Sequence, residues 1–382
     1  MFGRHVRLFR LLGFDVKLDL SWLILAALIT WSLASMLFPQ SFPGLSNGVY
    51  WAMGLAGAIG VFLSVVVHEI SHSVVARRLG LPIKAITLFV FGGVAEMGDE
   101  PNRARTEFLT AIAGPLSSAV LAGIFVGLAV LLDRLGLWPE GAGVFGALWQ
   151  INLSLAVFNL VPAFPLDGGR VLRAALWSAT RDLRRATRIA SLAGSAFGFF
   201  LVAAGVIFLF QGDFVMAIWG MLLGSFVHNA AQGSYRQLVA RLVLRGEPVQ
   251  RFMREDPVTV PYYISIEQLV EEIVYRHHHR LYPVMQDDTL IGCITTRDVK
   301  GLSRDVWSQH TVKELSHPCT PDNTTAPDVD AADVLGQMSR TGNTRLMVVS
   351  DDRLVGIVTL RDLLQYLFLK VDLEGKNAAR SP

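Results

Sequence analysis

The segment His68-Glu69-Ile70-Ser71-His72 contains residues whose types and spacing suit metal-assisted hydrolysis. Side chains at positions i and i+4 share one face of a helix, so His68 and His72 can bind one Zn²⁺ through their imidazoles. Glu69, beside the first histidine, is then suited to accept a proton from water as a general base. Because so short a motif also arises by chance, its surroundings decide how it is interpreted.

The surroundings of this segment are strongly apolar. No Asp, Glu, Lys or Arg occurs from residue 20 to residue 67, and 52% of the 382 residues are hydrophobic while 17% are charged. The mean hydropathy is +0.43. A soluble chain of this length rarely contains so little charge, so we expect a part of it to lie in a membrane. Ionisable groups inside membrane spans are costly and usually functional, which favours a metal site.

A catalytic zinc site needs a third protein ligand and one open coordination position. Asp167 is the best candidate, because residues 159–170 interrupt the end of an apolar stretch with two prolines, and the Gly pair after Asp167 permits a tight turn. Asn159, near the same membrane end, is a candidate donor to a developing oxyanion. A helix-packing or capping role for Asn159 is equally compatible with the sequence.

Six stretches are long enough to cross roughly 30 Å of hydrocarbon. They run approximately over residues 21–38, 49–76, 108–132, 143–161, 191–210 and 214–233. Lys and Arg are concentrated in the N-terminus and in the loops after the second and fourth stretches. The positive-inside rule therefore predicts that both termini and the candidate metal site lie on the cytoplasmic side of the cell membrane.

We expect no metal at His228 or at residues 277–279, and no disulfide between the two cysteines. His228, alone on the last span, is predicted to be a helix-packing or interfacial residue, and residues 277–279 (His-His-His) a solvated helix face. Cys293 and Cys319 are the only cysteines, with no C-x-x-C pair, which suits a cytosolic setting. No basic tract with interleaved aromatic residues indicates nucleic-acid binding.

Several motifs resemble those of one known family. Four of them occur in the order typical of the site-2 protease family of intramembrane zinc metalloproteases: His68-Glu69-x-x-His72, Phe91-Gly92-Gly93-Val94-Ala95, Ala113-Gly114-Pro115 and Asn159-x-x-Pro162-x-x-Pro165-Leu166-Asp167-Gly168-Gly169. The resemblance covers about residues 10 to 235. It implies regulated cleavage of a single-span membrane protein within or near the lipid bilayer.

The same resemblance implies roles for individual residues. The implied residues are His68, His72 and Asp167 as ligands of one catalytic Zn²⁺, Glu69 as the base, Asn159 as the active-site asparagine, and Gly92 and Gly93 as substrate contacts. The glycines lie in residues 82–97, whose composition predicts a short strand or hairpin. Such a strand is implied to pair with unwound substrate by β-strand addition.

The C-terminal part of the chain repeats itself. Residues 290–299 align with residues 354–363 at an offset of 64, and each copy has a short apolar strand followed by a Thr-x-x-Asp turn that opens a helix. The repeat resembles a tandem pair of cystathionine-β-synthase (CBS) domains, which implies a homodimer and binding of ATP or AMP. The candidate nucleotide-binding residues are Thr295, Asp298, Thr359 and Asp362. A Thr and an Asp at such a junction also form an ordinary helix N-cap.

The predicted fold class is an α-helical polytopic membrane protein with six transmembrane helices and a short membrane-associated β-strand region, joined to a soluble α/β tandem CBS domain. The predicted domains are residues 1–240 for the membrane metalloprotease, 241–308 and 309–372 for the CBS domains, and 373–382 for a flexible tail. The predicted function is a nucleotide-regulated intramembrane zinc endopeptidase. A CBS-regulated transporter and a catalytically inactive helix-binding scaffold are the alternatives; clustering of ionisable residues at one membrane end and the presence of Glu69 favour the enzyme.

Overall fold

Two compact units make up the structure. The computed structural model describes residues 5–11, 14–81, 83–89, 92–97, 101 and 103–374. Its contacts divide the chain into Met1–Tyr235 and Arg236–Pro382. This division lies close to the change in composition, while the domain boundaries given above stay predictions.

Long helices dominate the N-terminal part. Six helical stretches of the described residues are long and apolar enough to cross a membrane: Ser21–Ser41, Asn47–Arg78, Ala104–Arg134, Pro139–Asn159, Leu183–Phe210 and Phe214–Leu244. They coincide with the six predicted spans and confirm the predicted fold class of this part. Many of their large apolar side chains are exposed, which is expected of helices that face lipid.

The helices are numbered in chain order. The first stretch contains α1 (Ser21–Ser32), a π-helical turn (Leu33–Leu37) and α2 (Phe38–Ser41). The others are α3 (Asn47–Arg78), α4 (Ala104–Arg134), α5 (Pro139–Asn159), α6 (Asp167–Thr180), α7 (Leu183–Phe210) and α8 (Phe214–Leu244). Helix α3 packs against α1, α4 and α5, and α6 packs against α4 and α7. With only 14 residues, α6 is too short to span a bilayer.

A four-stranded sheet lies in the same unit. Its strands, in spatial order, are β1 (His5–Leu11), β2 (Phe14–Asp19), β3 (Ile83–Phe89) and β4 (Gly92–Met97). Two antiparallel hairpins, β1–β2 and β3–β4, are joined by parallel pairing of β2 with β3. The second hairpin was predicted for residues 82–97, of which 82, 90 and 91 lie outside the described residues. The first hairpin was not predicted, although residues 14–19 alternate strictly between apolar and charged side chains.

The C-terminal unit contains two copies of one α/β arrangement. The first copy comprises β5 (Val260–Pro261), α9 (Ile266–Gln268), α10 (Tyr275–His277), β6 (Leu281–Gln286), β7 (Thr289–Thr295), α11 (Thr296–Lys300), α12 (Val312–Leu315) and β8 (His317–Pro318). The second comprises β9 (Thr324–Thr325), α13 (Ala331–Thr341), β10 (Arg345–Ser350), β11 (Arg353–Thr359) and α14 (Leu360–Glu374).

The predicted repeat is visible strand by strand. Strands β6 and β7 have the same lengths as β10 and β11, and the bounds of each pair differ by 64 residues. Both antiparallel pairs even shift register at the same point, after Val284 in one copy and after Val348 in the other. Each copy buries its own apolar core, which confirms the α/β tandem fold.

Candidate metal centre

Three potential metal-ligand atoms converge in the helical unit. Nε2 of His68, Nε2 of His72 and Oδ2 of Asp167 each lie 3.2 Å from the other two. The two histidines lie one turn apart on α3, and Asp167 is the first residue of α6. Both histidines are almost fully buried, with 4% and 5% of their surfaces exposed. The three residues predicted as ligands are therefore brought together.

The hydrogen bond on the far side of each imidazole orients its ring. Nδ1 of His72 lies 2.7 Å from the backbone carbonyl oxygen of Thr110, which can only accept, so Nδ1 carries the proton. In the neutral ring, Nε2 of His72 then has a free lone pair directed at the triangle. Nδ1 of His68 lies 2.9 Å from Oγ of Ser118, a hydroxyl that can accept in the same way. Partners of this kind fix the tautomer and orientation of metal-binding histidines.

The triangle fits a tetrahedral zinc ion. At zinc–ligand distances of about 2.0–2.1 Å, two ligands of a tetrahedral ion lie about 3.3–3.4 Å apart, close to the separations between these three atoms. Asp167 adds a carboxylate oxygen to the two imidazole nitrogens. Three lone pairs that face one another repel unless a cation lies between them. The donor set therefore fits zinc.

Gly114 of α4 makes room for this arrangement. A Cβ atom added at Gly114 would overlap Nε2 of His72 and would lie 2.5 Å from Nε2 of His68. Only a residue without a side chain lets α4 approach both imidazoles this closely. This close approach explains why a glycine stands at the centre of Ala113-Gly114-Pro115.

Comparison with known proteins gives an independent view of the chain. The family model described as Peptidase family M50 matches residues 56–136 and 142–202, and the CBS domain model matches residues 249–305 and 312–369. Rip3 of Mycobacterium tuberculosis, whose name places it among the zinc metalloproteases, is 33% identical over 94% of this chain and 91% of its own length.

This chain belongs to peptidase family M50, the site-2 protease family. It is a zinc-dependent membrane protease with a tandem pair of CBS domains, as the sequence predicted. Zinc metalloprotease MJ0392 of Methanocaldococcus jannaschii is 29% identical over 94% of this chain and 95% of its own. A solved site-2 protease from the same organism is 30% identical and covers 61% of this chain and 96% of its own, with a TM-score of 0.44.

The Gly pair of the protease motif has a role other than the predicted one. Gly168 and Gly169 lie in the first turn of α6 and do not form a tight turn after Asp167. A Cβ at Gly168 would overlap the backbone carbonyl of Leu160, and one at Gly169 would overlap the backbone of Phe164. The glycines let α6 begin directly against the preceding loop, which brings Asp167 to α3.

The other predicted protease residues lie on α3, α5 and β4. Glu69 follows His68 on α3, is half-buried and interacts electrostatically with His72. Asn159 is the last residue of α5 and is half-buried. Gly92 and Gly93 begin β4, the strand at one edge of the sheet.

Sequence reasoning missed several polar residues of the protease unit. Thr110 and Ser118 orient the histidines, and an ion pair between Glu107 and Arg173 joins α4 to α6. Asn152 on α5 is fully buried, and its side-chain amide donates to Oγ of Ser64, one turn before His68. For Glu107, Ser118 and Asn152 the available signal was a polar side chain inside an apolar span, because such a side chain needs a partner at membrane depth. Thr110 contacts His72 through its backbone carbonyl, which carries no such signal.

A second site candidate lies in the CBS unit. A cavity of about 1040 Å³ is lined by Thr359, by the acidic residues Glu255 and Asp256, and by five basic residues: Arg254, His278, His279, Arg345 and Arg361. His278 and His279 are exposed, as predicted, but they follow the end of α10 and line this cavity. Arg254 also donates to Asp362 over 3.3 Å. His228, in contrast, packs within the membrane helices, 2.7 Å from Oγ of Ser195.

The two Thr-x-x-Asp turns have different surroundings. In each turn the Asp carboxylate accepts from the Thr hydroxyl, over 2.7 Å in Thr295–Asp298 and 2.5 Å in Thr359–Asp362, so both pairs cap helices. Asp298 also pairs with His317 at 3.0 Å. Burial raises the pKa of Asp298, but the hydrogen bonds from Thr295 and His317 lower it overall.

Proposed function

We propose that this protease hydrolyses peptide bonds in the transmembrane segments of single-span membrane proteins. The observation that carries the proposal is the triangle of ligand atoms from His68, His72 and Asp167, buried in a bundle of apolar helices. A hydrolytic centre surrounded by lipid-facing helices is accessible to a substrate that is itself embedded in the bilayer. We assign these three side chains as the zinc ligands.

The remaining protease residues act on water and on the substrate. Zinc held by His68, His72 and Asp167 would supply Lewis-acid activation of water and of the scissile carbonyl. Glu69 accepts a proton from that water and passes it to the leaving amine. Asn159 donates a hydrogen bond from its amide to the carbonyl oxygen as negative charge develops. The adjacency of Glu69 to His68, and the position of Asn159 eight residues before Asp167, support these roles.

Substrate binds as an added strand on β4. A helix hides its amides, so the scissile segment must become extended before it is cleaved. Strand β4 supports this role, because it pairs only with β3 among the described strands and packs beside α3, which carries His68 and His72. Gly92 and Gly93, which have no side chains, let a substrate backbone come close.

The active site and both termini face the cytoplasm in this proposal. The protein is a multi-pass protein of the cytoplasmic membrane, and the support is the asymmetric distribution of Lys and Arg between its loops. The CBS unit then lies in the cytosol, where ATP and AMP are available, and joins two chains into a homodimer.

Nucleotide binding to the CBS unit regulates cleavage in this proposal. Three arginines (Arg254, Arg345 and Arg361) outnumber the two acidic residues, Glu255 and Asp256, around the cavity beside Thr359. This excess favours a phosphate-bearing ligand, and the volume is ample for a mononucleotide. The equivalent Asp of the first copy, Asp298, is engaged by His317. These observations favour Thr359 and Asp362 over Thr295 and Asp298 as the nucleotide contacts.

The variant Glu69→Gln tests the protease proposal. We expect it to keep its zinc and to lose cleavage of a co-expressed single-span substrate, because the proton acceptor is removed while the ligands stay. The control is Asp133→Asn, which neutralises an exposed carboxylate near the other end of α4 and should leave cleavage unchanged. Cleavage by Glu69→Gln at the wild-type rate contradicts the mechanism.

A further inference from the structure

One face of α4 contacts every element that contributes a ligand to the metal triangle. Glu107, Thr110, Gly114 and Ser118 are buried at relative positions 0, +3, +7 and +11, which is the spacing of a single helix face. Thr110 and Ser118 orient His72 and His68, and Gly114 makes room for both rings. Glu107, at the start of this face, forms an ion pair with a residue of another helix.

The partner of Glu107 lies on the helix that carries the third ligand. Nε of Arg173 donates to Oε1 of Glu107 over 2.6 Å, and Nη2 of Arg173 contacts the same oxygen. Arg173 is six residues after Asp167 on α6. The exposed fraction is 8% for Arg173 and 1% for Glu107. The same guanidinium lies 5.2 Å above the ring of Phe164, three residues before Asp167. Arg173 therefore joins α4 to both sides of Asp167.

The chemistry of this contact restricts how α6 can move on α4. A planar guanidinium that donates from Nε to a carboxylate oxygen, with Nη2 against the same oxygen, has a preferred direction as well as a preferred distance. An apolar contact of the same size would let α6 rotate or slide on α4 at little cost. Metal ligands need to be held within about 0.5 Å of the productive geometry, so such movement would separate Asp167 from the histidines.

We propose that Glu107 and Arg173 form a positioning pair that aligns Asp167 with His68 and His72 and thereby sets the affinity for zinc. The proposal rests on the zinc-ligand assignment given under the proposed function. One face of α4 then orients all three proposed ligands. Ser118 and Thr110 align His68 and His72, and Glu107 aligns Asp167 through Arg173. Neither residue of the pair is itself one of the three proposed ligands.

Two variants separate positioning from a purely structural role. A buried ion pair is strongly destabilised when one partner is removed, whereas replacing both partners by apolar residues is often neutral for folding. The double variant Glu107→Met with Arg173→Met should therefore fold, and Arg173→Lys keeps the charge but loses the planar double contact. The control is Arg188→Met, which removes an exposed arginine of α7.

The measurements are made on the purified full-length protein in detergent. Zinc affinity is measured by competition with a chromophoric chelator, the thermal midpoint is measured without zinc, and the d–d absorption of bound Co²⁺ reports ligand geometry. We expect both variants to bind zinc about tenfold or more weakly than Arg188→Met, the range for lost supporting contacts, and Arg173→Lys to show an altered Co²⁺ spectrum.

The positioning role would be overturned if the folded double variant bound zinc with wild-type affinity. It would also be overturned if Arg173→Lys kept both the wild-type affinity and the wild-type Co²⁺ spectrum. If the double variant does not fold, Arg173→Lys decides alone. The variant Asp167→Ala shows whether only the positioning role is wrong or the ligand assignment as well. If Asp167→Ala also binds zinc like the wild type, the assignment itself is wrong.

Discussion

Oδ2 of Asp167 lies 3.2 Å from Nε2 of His68, although 99 residues separate them in the chain. The contact joins α6 to α3, and α4 lies against both helices. The candidate metal centre is therefore a product of helix packing, and we expect zinc binding to report on that packing as well as on the ligands.

Removing the hydroxyl that orients His68 should weaken zinc binding. Ser118→Ala takes away the partner of Nδ1, so the ring loses the hydrogen bond that fixes its tautomer, and we expect an affinity loss of about 10–100-fold. The matched control is Ser117→Ala, since the Ser117 hydroxyl donates only to Gly114 of its own helix. Chelator competition measures both variants, and equal affinities would contradict the orienting role.

A single added methyl group on α4 should separate the ligands. Gly114→Ala introduces a Cβ that overlaps Nε2 of His72, so we expect loss of bound zinc and of cleavage. Gly123→Ala is the control on the same helix, because a Cβ there meets no atom within 4 Å. Since Ala is the better helix former, Gly123→Ala should keep full zinc content and be at least as heat-stable. Zinc content by atomic absorption distinguishes the two, and full zinc in Gly114→Ala would refute the close approach.

The three candidate ligands could be found in the sequence because local rules apply to them. The i and i+4 spacing of His68 and His72 fixes a shared helix face, and Asp167 follows two prolines that end an apolar span. Topology from Lys and Arg counts put these residues at one membrane end. The 64-residue repeat likewise predicted two similar C-terminal copies, because its strands and turns recur in sequence.

The residues around the ligands could not be predicted in the same way. Glu107 and Arg173 are 66 residues apart, and only the packing of α4 on α6 brings them together. The spacing of Glu107, Thr110, Gly114 and Ser118 does mark one helix face, but the sequence does not say which helix that face meets. The β1–β2 hairpin was missed for a different reason: its charged residues were interpreted only as topology signals.

The two CBS copies should differ in nucleotide affinity. Asp362→Ala should weaken binding of ATP or AMP to the full-length protein by tenfold or more, since Asp362 accepts from Arg254, which lines the cavity. Asp298→Ala should change it less than twofold, because Asp298 is engaged by His317 outside that cavity. Isothermal titration calorimetry gives the affinity and the stoichiometry, expected to be one nucleotide per chain. A larger effect of Asp298→Ala would reverse the assignment.

Substrate should pair with β4 in a fixed register. With Cys293 and Cys319 replaced by Ser and Glu69→Gln present to retain substrate, Gly93→Cys should form a disulfide with a cysteine near the scissile bond. Moving the protease cysteine two residues along β4 should shift the best substrate partner by two residues, because strand pairing has a period of two. A crosslinking pattern with a period of three to four would indicate a helical substrate and contradict strand addition.

The assignment of the zinc ligands can be tested on three purified proteins. Zinc content and zinc X-ray absorption are measured on purified wild-type protein, Glu69→Gln and Asp167→Ala. We predict about one zinc per chain in the first two, coordinated by two imidazole nitrogens and a carboxylate oxygen at about 2.0–2.2 Å. Asp167→Ala should lose most of its zinc. An unchanged zinc content and absorption spectrum in Asp167→Ala would show that the ion is held elsewhere.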